Sequence, residues 1–286
     1  MPRGVPKNGI RKTRKTNVVK AQISTRPVII ETDEQIEAKL NTRFGVLARM
    51  AEGCTSGAIR SMIVSGPAGL GKSFVIEKTL QEWDPSESDW TIVKGYVRPT
   101  GLFKLLYQYR NKGQILVFDD ADAVFGDETS LNLLKAACDS SERRRISYAS
   151  EARLFDEDSA MSLPRSFVFE GTIIFITNYD FDAMMDKGHK LTPHFQALVS
   201  RSLYIDLAMK TRRDYIVRIR QVVRDGLLEG IGLDRTQRDE VLEFIESNVD
   251  RMRELSLRMA LKVGSVRQLG SNWKEIATVT CLRQVA

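Results

Sequence analysis

Gly66-Pro67-Ala68-Gly69-Leu70-Gly71-Lys72-Ser73 fits the pattern G-x-x-x-x-G-K-[ST], and the apolar run Met62-Ile63-Val64 ahead of it suits a buried strand. The positions from about Lys72 to Trp83 continue as a helical pattern, ended by Asp84-Pro85. A glycine-rich turn between a strand and a helix aims successive backbone N–H groups, and the positive end of the helix, at one point. Such a turn cradles the β- and γ-phosphates of a nucleoside triphosphate. Lys72 adds a positive charge, Ser73 a hydroxyl for Mg²⁺, and the three glycines let the backbone approach without Cβ clashes. Phe74, directly after the motif, is counted with the nucleotide-contacting set.

Working outward, apolar runs alternate with helical patterns, as in a parallel α/β sheet. Residues 32–53 form an amphipathic helix, with Ile36, Leu40, Phe44, Leu47 and Met50 at helical spacing. Strands are expected at 61–65, 91–94, 115–119, 172–177 and 202–206, and helices at 102–109 and 131–138. From about 208 the pattern is wholly helical, over 211–228, 235–249, 251–262 and 265–278. The outline is a five-stranded parallel sheet with flanking helices, followed by a small helical bundle. Three segments are expected: a basic arm over 1–30, an α/β nucleotide-binding domain over 31–207 and a helical domain over 208–286.

Ile115-Leu116-Val117-Phe118-Asp119-Asp120 is an apolar strand that ends in two carboxylates. At the C-terminal edge of a parallel sheet that end lies beside the phosphate crevice. Asp119 is the expected Mg²⁺ partner through water. Asp120 is placed to orient or deprotonate an attacking water.

These motifs together resemble the AAA+ ATPases over about residues 32–270. The resemblance implies ATP and Mg²⁺ as cofactors, a helical lid after the sheet, and a homo-oligomer, usually a hexamer. In Thr172-Ile173-Ile174-Phe175-Ile176-Thr177-Asn178 it makes Asn178 the polar residue that holds the attacking water. Leu198-Val199-Ser200-Arg201-Ser202 resembles the arginine-finger segment, with Arg201 reaching the γ-phosphate of a neighbouring subunit. Arg201 also fits an ion pair within its own chain. Leu255-Ser256-Leu257-Arg258-Met259-Ala260 resembles the sensor-2 helix, with Arg258 on the phosphates; Gly264-Ser265-Val266-Arg267 is a rival. Gly95-Tyr96-Val97-Arg98 stands where the family has its pore loop, so Tyr96, Val97 and Arg98 become candidate substrate contacts. One departure is Asp120, where the family commonly has glutamate; its reach is shorter by one methylene. A GTPase would need N-K-x-D, which this sequence lacks.

The chain has 286 residues, 42% hydrophobic and 28% charged, with a net charge of +6. The excess is local: Arg3, Lys7, Arg11, Lys12, Arg14, Lys15, Lys20 and Arg26 meet no acid within the first thirty residues. Setting these eight aside, the 43 basic residues become 35, against 37 acidic ones. A disordered basic arm with Pro2 and Pro6 suits contact with nucleic-acid phosphates. The run Arg143-Arg144-Arg145 favours the same partner. The long stretch 139–171 fits a hairpin, a pore-facing insertion or a solvated loop. No apolar run approaches the ~20 residues of a membrane span. Cys54, Cys138 and Cys281, odd in number and widely spaced, are expected as reduced thiols in a cytoplasm.

Two readings of purpose stand first. One is a DNA-linked remodeller in replication or recombination, helicase-loader-like, resembling small bacteriophage AAA+ ATPases. The other is a protein-remodelling chaperone or unfoldase, favoured by the Tyr96-Val97 pair. An ATP-gated scaffold with little turnover remains open because of Asp120.

Overall fold

Thr32 starts the first helix, α1 (Asp33–Thr55), through a reciprocal cap. Its hydroxyl accepts from Gln35 N–H at 3.3 Å, and the Gln35 amide oxygen accepts from Thr32 N–H at 2.9 Å. The computed structural model describes residues 31–149, 154–155, 162–188 and 190–284. Residues from Thr32 to Ala286 make one compact unit. The expected arm over 1–30 lies outside the described residues.

Five strands form one sheet: β1 (Ser61–Ser65), β2 (Trp90–Lys94), β3 (Ile115–Asp119), β6 (Thr172–Thr177) and β7 (Leu203–Asp206). Their order is β2-β3-β6-β1-β7 and every neighbouring pair is parallel. The three inner strands are buried along their whole length, which explains their unbroken apolar runs. Alternate residues then serve opposite faces. Met62, Val64, Ile115, Val117, Ile174 and Ile176 join a core with α1 and α2 (Lys72–Trp83). Ile63, Leu116, Phe118, Ile173 and Phe175 join the other, with α3 (Pro99–Gln108) and α4 (Glu128–Ala137).

The stretch after α4 is a hairpin where described: β4 (Arg144–Ser147) pairs antiparallel with β5 (Ser166–Phe169). It corrects the reading of Arg143-Arg144-Arg145 as one exposed basic run. Arg144 is 2% exposed and donates to Ala137 O and Gly171 O, each at 2.8 Å. Strand alternation leaves only Arg143 and Arg145 at the surface.

Two short helices, α5 (Phe181–Asp186) and α6 (Thr192–Val199), lie between β6 and β7 and lack long periodic patterns in the sequence. Asp180 caps the first and Pro193 sits in the opening turn of the second. Four helices follow: α7 (Arg212–Arg224), α8 (Arg235–Ser247), α9 (Leu257–Arg267) and α10 (Trp273–Cys281), around a third apolar core.

The last two differ from the expected 251–262 and 265–278. Ser256 caps α9, accepting from Met259 N–H at 3.1 Å, so the helix starts later. Gly264 does not end it; a Cβ there would stand 2.8 Å from Ile231 Cδ1 and 3.1 Å from Leu228 Cδ2. The glycine serves close packing rather than a break. Cys54, Cys138 and Cys281 are buried free thiols, and burial alone pushes Cys54 up to about 12. Among the described residues, no helix is long and apolar enough to cross a membrane.

Candidate nucleotide site

β1 delivers the chain to the C-terminal edge of the sheet, where Gly66, Gly69 and Gly71 take positive φ values of 151°, 73° and 94°. Gly71 is the N-cap of α2, with no side chain bonded to the helix start. The N–H groups of the first turn therefore keep their donors directed outward. Leu70 turns into the core at 1% exposure, Ala68 is exposed and Pro67 half-buried. Phe74 points away into solvent at 69% exposure.

Lys72 is 5% exposed. Its ammonium donates to Gly66 O, to Pro67 O at 2.9 Å and to Asn178 Oδ1 at 3.0 Å. Burial lowers its pKa to about 8, while Asp120 and Asp119 pull the other way. Asn178 then donates through Nδ2 to Asp120 Oδ1 at 2.8 Å. A continuous path Lys72–Asn178–Asp120 thus runs from the start of α2 past the end of β6 to the end of β3. The two bonds also fix which end of the Asn178 amide faces which partner.

Asp119 and Asp120 diverge. Asp119 is 4% exposed and accepts from Ser73 Oγ at 2.9 Å. Asp120 is exposed, with φ at 52° and its N–H bonded to Ile176 O at 3.0 Å. That left-handed turn, unusual for a residue with a Cβ, swings the second carboxylate out toward Asn178. Behind them Asp122 accepts from Thr177 Oγ1 at 2.6 Å, and burial raises its pKa.

The C-terminal helices reach this loop. Leu257 N–H donates to Gly69 O at 2.8 Å, and a Cβ on Gly69 would lie 2.7 Å from Ser256 Cβ and 3.8 Å from Arg258 Cγ. Arg258 therefore sits beside the phosphate loop. Arg267, the rival, is occupied elsewhere: its Nε donates to Glu240 at 2.5 Å and its guanidinium faces the Trp273 ring.

Two sets of candidates are not brought here. Arg201 lies at the N-terminal edge of the sheet, where Ser61 Oγ donates to its carbonyl at 2.9 Å. A five-residue strand separates that edge from the phosphate loop by roughly 15 Å. Its Nε stands 3.5 Å from Asp139 Oδ2 and its Nη1 donates to Ala197 O at 2.8 Å. In the Tyr96-Val97-Arg98 segment, Tyr96 is 76% exposed, but Val97 is 8% exposed inside the core with Leu102 and Phe103. The aromatic–aliphatic gripping pair is corrected accordingly. Only Tyr96 and Arg98 face solvent.

Three site neighbours escaped the sequence reading. Lys94 ends β2 in register with Asp119, and its ammonium lies 3.4 Å from Asp119 Oδ2. A lysine closing a strand beside a carboxylate-ended strand was the available signal. Ser256 and Arg218, brought in by the C-terminal helices, had none.

A related protein puts this geometry in context. Over 274 residues the chain is 37% identical to an uncharacterized 36.7 kDa protein from the nrdC-mobD intergenic region of Enterobacteria phage T4, covering 93% of this chain and 83% of that one. The chain belongs to that protein's family. No protein-family model matches it.

Similar solved structures include the RuvB Holliday junction branch migration motor of Thermotoga maritima, at 16% identity and a TM-score of 0.46, covering 87% of this chain and 69% of RuvB. Domain III of the Thermotoga maritima replication initiation protein DnaA matches at 14% identity and 0.46, covering 84% and 90%. NtrX from Brucella abortus in complex with ATP matches at 11% and 0.44, covering 83% and 61%. The chain's own topology carries the fold class: a β2-β3-β6-β1-β7 parallel sheet with a phosphate loop after β1, flanking helices and further helices after the last strand is an α/β P-loop fold.

Proposed function

We propose that this chain is an AAA+ ATPase that binds and hydrolyses ATP with Mg²⁺, and that turnover moves its C-terminal helices against the sheet. The observation that supports this most is the hydrogen-bonded path Lys72–Asn178–Asp120 beside Ser73–Asp119, five polar residues from the start of α2 and the ends of β3 and β6 meeting at one glycine loop. The donor set fits a triphosphate: uncapped N–H groups at the start of α2, a buried ammonium, and a hydroxyl–carboxylate pair suited to hydrated Mg²⁺. Bound Mg²⁺ would neutralise developing phosphate charge, held through Ser73 and, by way of water, Asp119.

Lys72 holds the phosphates once it releases Gly66 and Pro67. Asn178 positions the attacking water, and Asp120 takes its proton. Arg258, whose helix starts on Gly69, reads the phosphates from the C-terminal side. Arg201 acts on the nucleotide of an adjacent copy, since its place on the opposite sheet edge keeps it from its own. On this reading Asp139 holds it ready in the single chain, and the working form is a ring, most simply a hexamer.

For the macromolecule, we infer DNA or a DNA-bound protein complex. Support comes from the basic run over residues 1–30 and from Tyr96 with Arg98, an exposed aromatic beside a cation that suits stacked bases and phosphates. The burial of Val97 weakens a polypeptide-gripping alternative.

The test is ATP binding and turnover with mass photometry, alone, with single- and double-stranded DNA, and with an unfolded polypeptide. DNA-stimulated turnover in nucleotide-dependent rings is expected. Lys72→Ala should lose ATP affinity, and Asp120→Asn should bind but turn over at least tenfold more slowly. Undiminished ATP affinity in Lys72→Ala would remove the site from the phosphate loop. Mixing inactive Arg201→Ala and Lys72→Ala chains should restore activity if the arginine works across an interface.

A further inference from the structure

Arg218 is a buried cation with an unpartnered nitrogen. It lies in α7 and is 8% exposed, with its guanidinium carbon 3.5 Å from the centroid of the Phe44 ring on α1. Nη1 donates to Gln221 Oε1 at 2.9 Å, and the Gln221 amide donates in turn to Asn41 on α1. Nε is buried with no hydrogen-bond partner. Among the described residues no carboxylate forms an ion pair with Arg218. The acid acting on it, Asp225, lies seven positions further along the chain, and burial depresses the guanidinium pKa to about 10. At neutral pH the group remains a cation.

Its surroundings make this position costly. Nη2 is 3.8 Å from the point a Cβ on Gly71 would occupy. Gly71 is the N-cap of α2, so the guanidinium stands beside the positive end of that helix, one residue from the Lys72 backbone. A buried cation without a counter-ion is unfavourable, and a second positive centre alongside makes it more so. Stacking on Phe44 offsets part of this but brings no negative charge. Buried charges are kept where a partner meets them, and among the described residues Arg218 has no ion-paired carboxylate, only the more distant charge of Asp225. An anion lying on the phosphate loop meets the helix end, Lys72 and Arg218 together.

We propose that Arg218 is a direct phosphate-binding residue of this site, gripping the di- or triphosphate chain of a nucleotide from α7, separately from Arg258 on α9. The proposal rests on the phosphate-loop reading above. It gives the site a second clamp: anion binding links α7 and α1 to the start of α2, so the free protein holds a strained cation that ligand relieves.

The test compares the full chain with R218M and R218K, using ITC for ATP, ADP and inorganic pyrophosphate, and thermal melting with and without pyrophosphate. Methionine keeps the stem against Phe44 and deletes the charge. R218M should melt at or above the wild-type temperature without ligand. It should lose at least tenfold in affinity for all three anions, with most of the pyrophosphate-induced rise in melting temperature gone. R218K should recover at least a third of the lost affinity on a logarithmic scale.

R218M binding pyrophosphate and ADP within twofold of wild type, while K72A binds neither, would overturn the proposal and leave the phosphate loop intact. If wild type binds none of the three anions, the underlying site reading fails as well. Should R218M fold poorly, R218K decides: weakened pyrophosphate binding with an unchanged ligand-free melting temperature supports the contact. Binding equal to wild type in a destabilised R218K overturns it in favour of a packing role.

Discussion

Gly69→Ala is the perturbation whose cost can be assembled from the structure. Gly69 has φ at 73°, a left-handed conformation that costs an alanine roughly 1 kcal/mol. The new Cβ would stand 2.7 Å from Ser256 Cβ, about 1 Å inside ordinary carbon contact. Ser256 Cβ is fixed to backbone, so relief requires the start of α9 to move. That movement stretches the 2.8 Å bond from Leu257 N–H to Gly69 O, worth about 1 kcal/mol.

The sum is about 2–3 kcal/mol of folding stability, measured by urea unfolding without nucleotide. Ser256→Gly removes the opposing Cβ and should return about 1 kcal/mol of that loss in the double variant, although alone it costs a few tenths through a weaker cap. A loss below about 1 kcal/mol, or strict additivity in the double variant, would refute the claim that α9 bears on the phosphate loop through this contact.

Arg144→Met should cost about 3 kcal/mol in the same assay, because two carbonyls lose their donors inside the core, whereas Arg145→Ala should stay within about 0.5 kcal/mol. Equal effects would place Arg144 at the surface after all. Arg220 bridges Asp33 and Glu246, each at 2.9 Å, and its hydrogen bond, then that of Arg213, holds the Asp33 carboxyl below its usual 3.8. A depressed carboxylate stabilises above its unfolded value and loses that contribution as pH falls through the folded one. Arg220→Ala should therefore cost under about 1 kcal/mol at neutral pH, given the exposure of the pair, with the part owed to Asp33 fading below pH 3.8. A difference in urea unfolding that grows on acidification would contradict this.

The glycine loop was legible because its chemistry is written in eight consecutive residues, with flanks that announce a strand and a helix. The carboxylate and amide at the ends of β3 and β6 were legible for the same reason, since an inner parallel strand is an apolar run whose polar terminus stands out. What escaped depends on long-range placement. Val97 reads as a loop residue until α3 folds back over it, and Arg144 belongs to a basic triplet until strand alternation turns it inward. The choice between Arg258 and Arg267 turns on where Ser256 starts a helix. Arg218 had no local signal, its ring partner Phe44 lying on the first helix.

The sheet register has a consequence for how this chain can vary. β6 is locked on both sides, Ile176 opposite Asp119 on one and Thr177 opposite Ser65 on the other. A single residue added or lost within β6 would carry Asn178 about 3.3 Å along the strand and turn its side chain to the other face. Lys72 and Asp120 would then lose their common partner in one event. Length changes are consequently survivable in the connections, such as the one between β4 and β5, but not inside the three inner strands. Descendants of this sequence are free to lengthen at the periphery while the spacing between strand ends stays frozen.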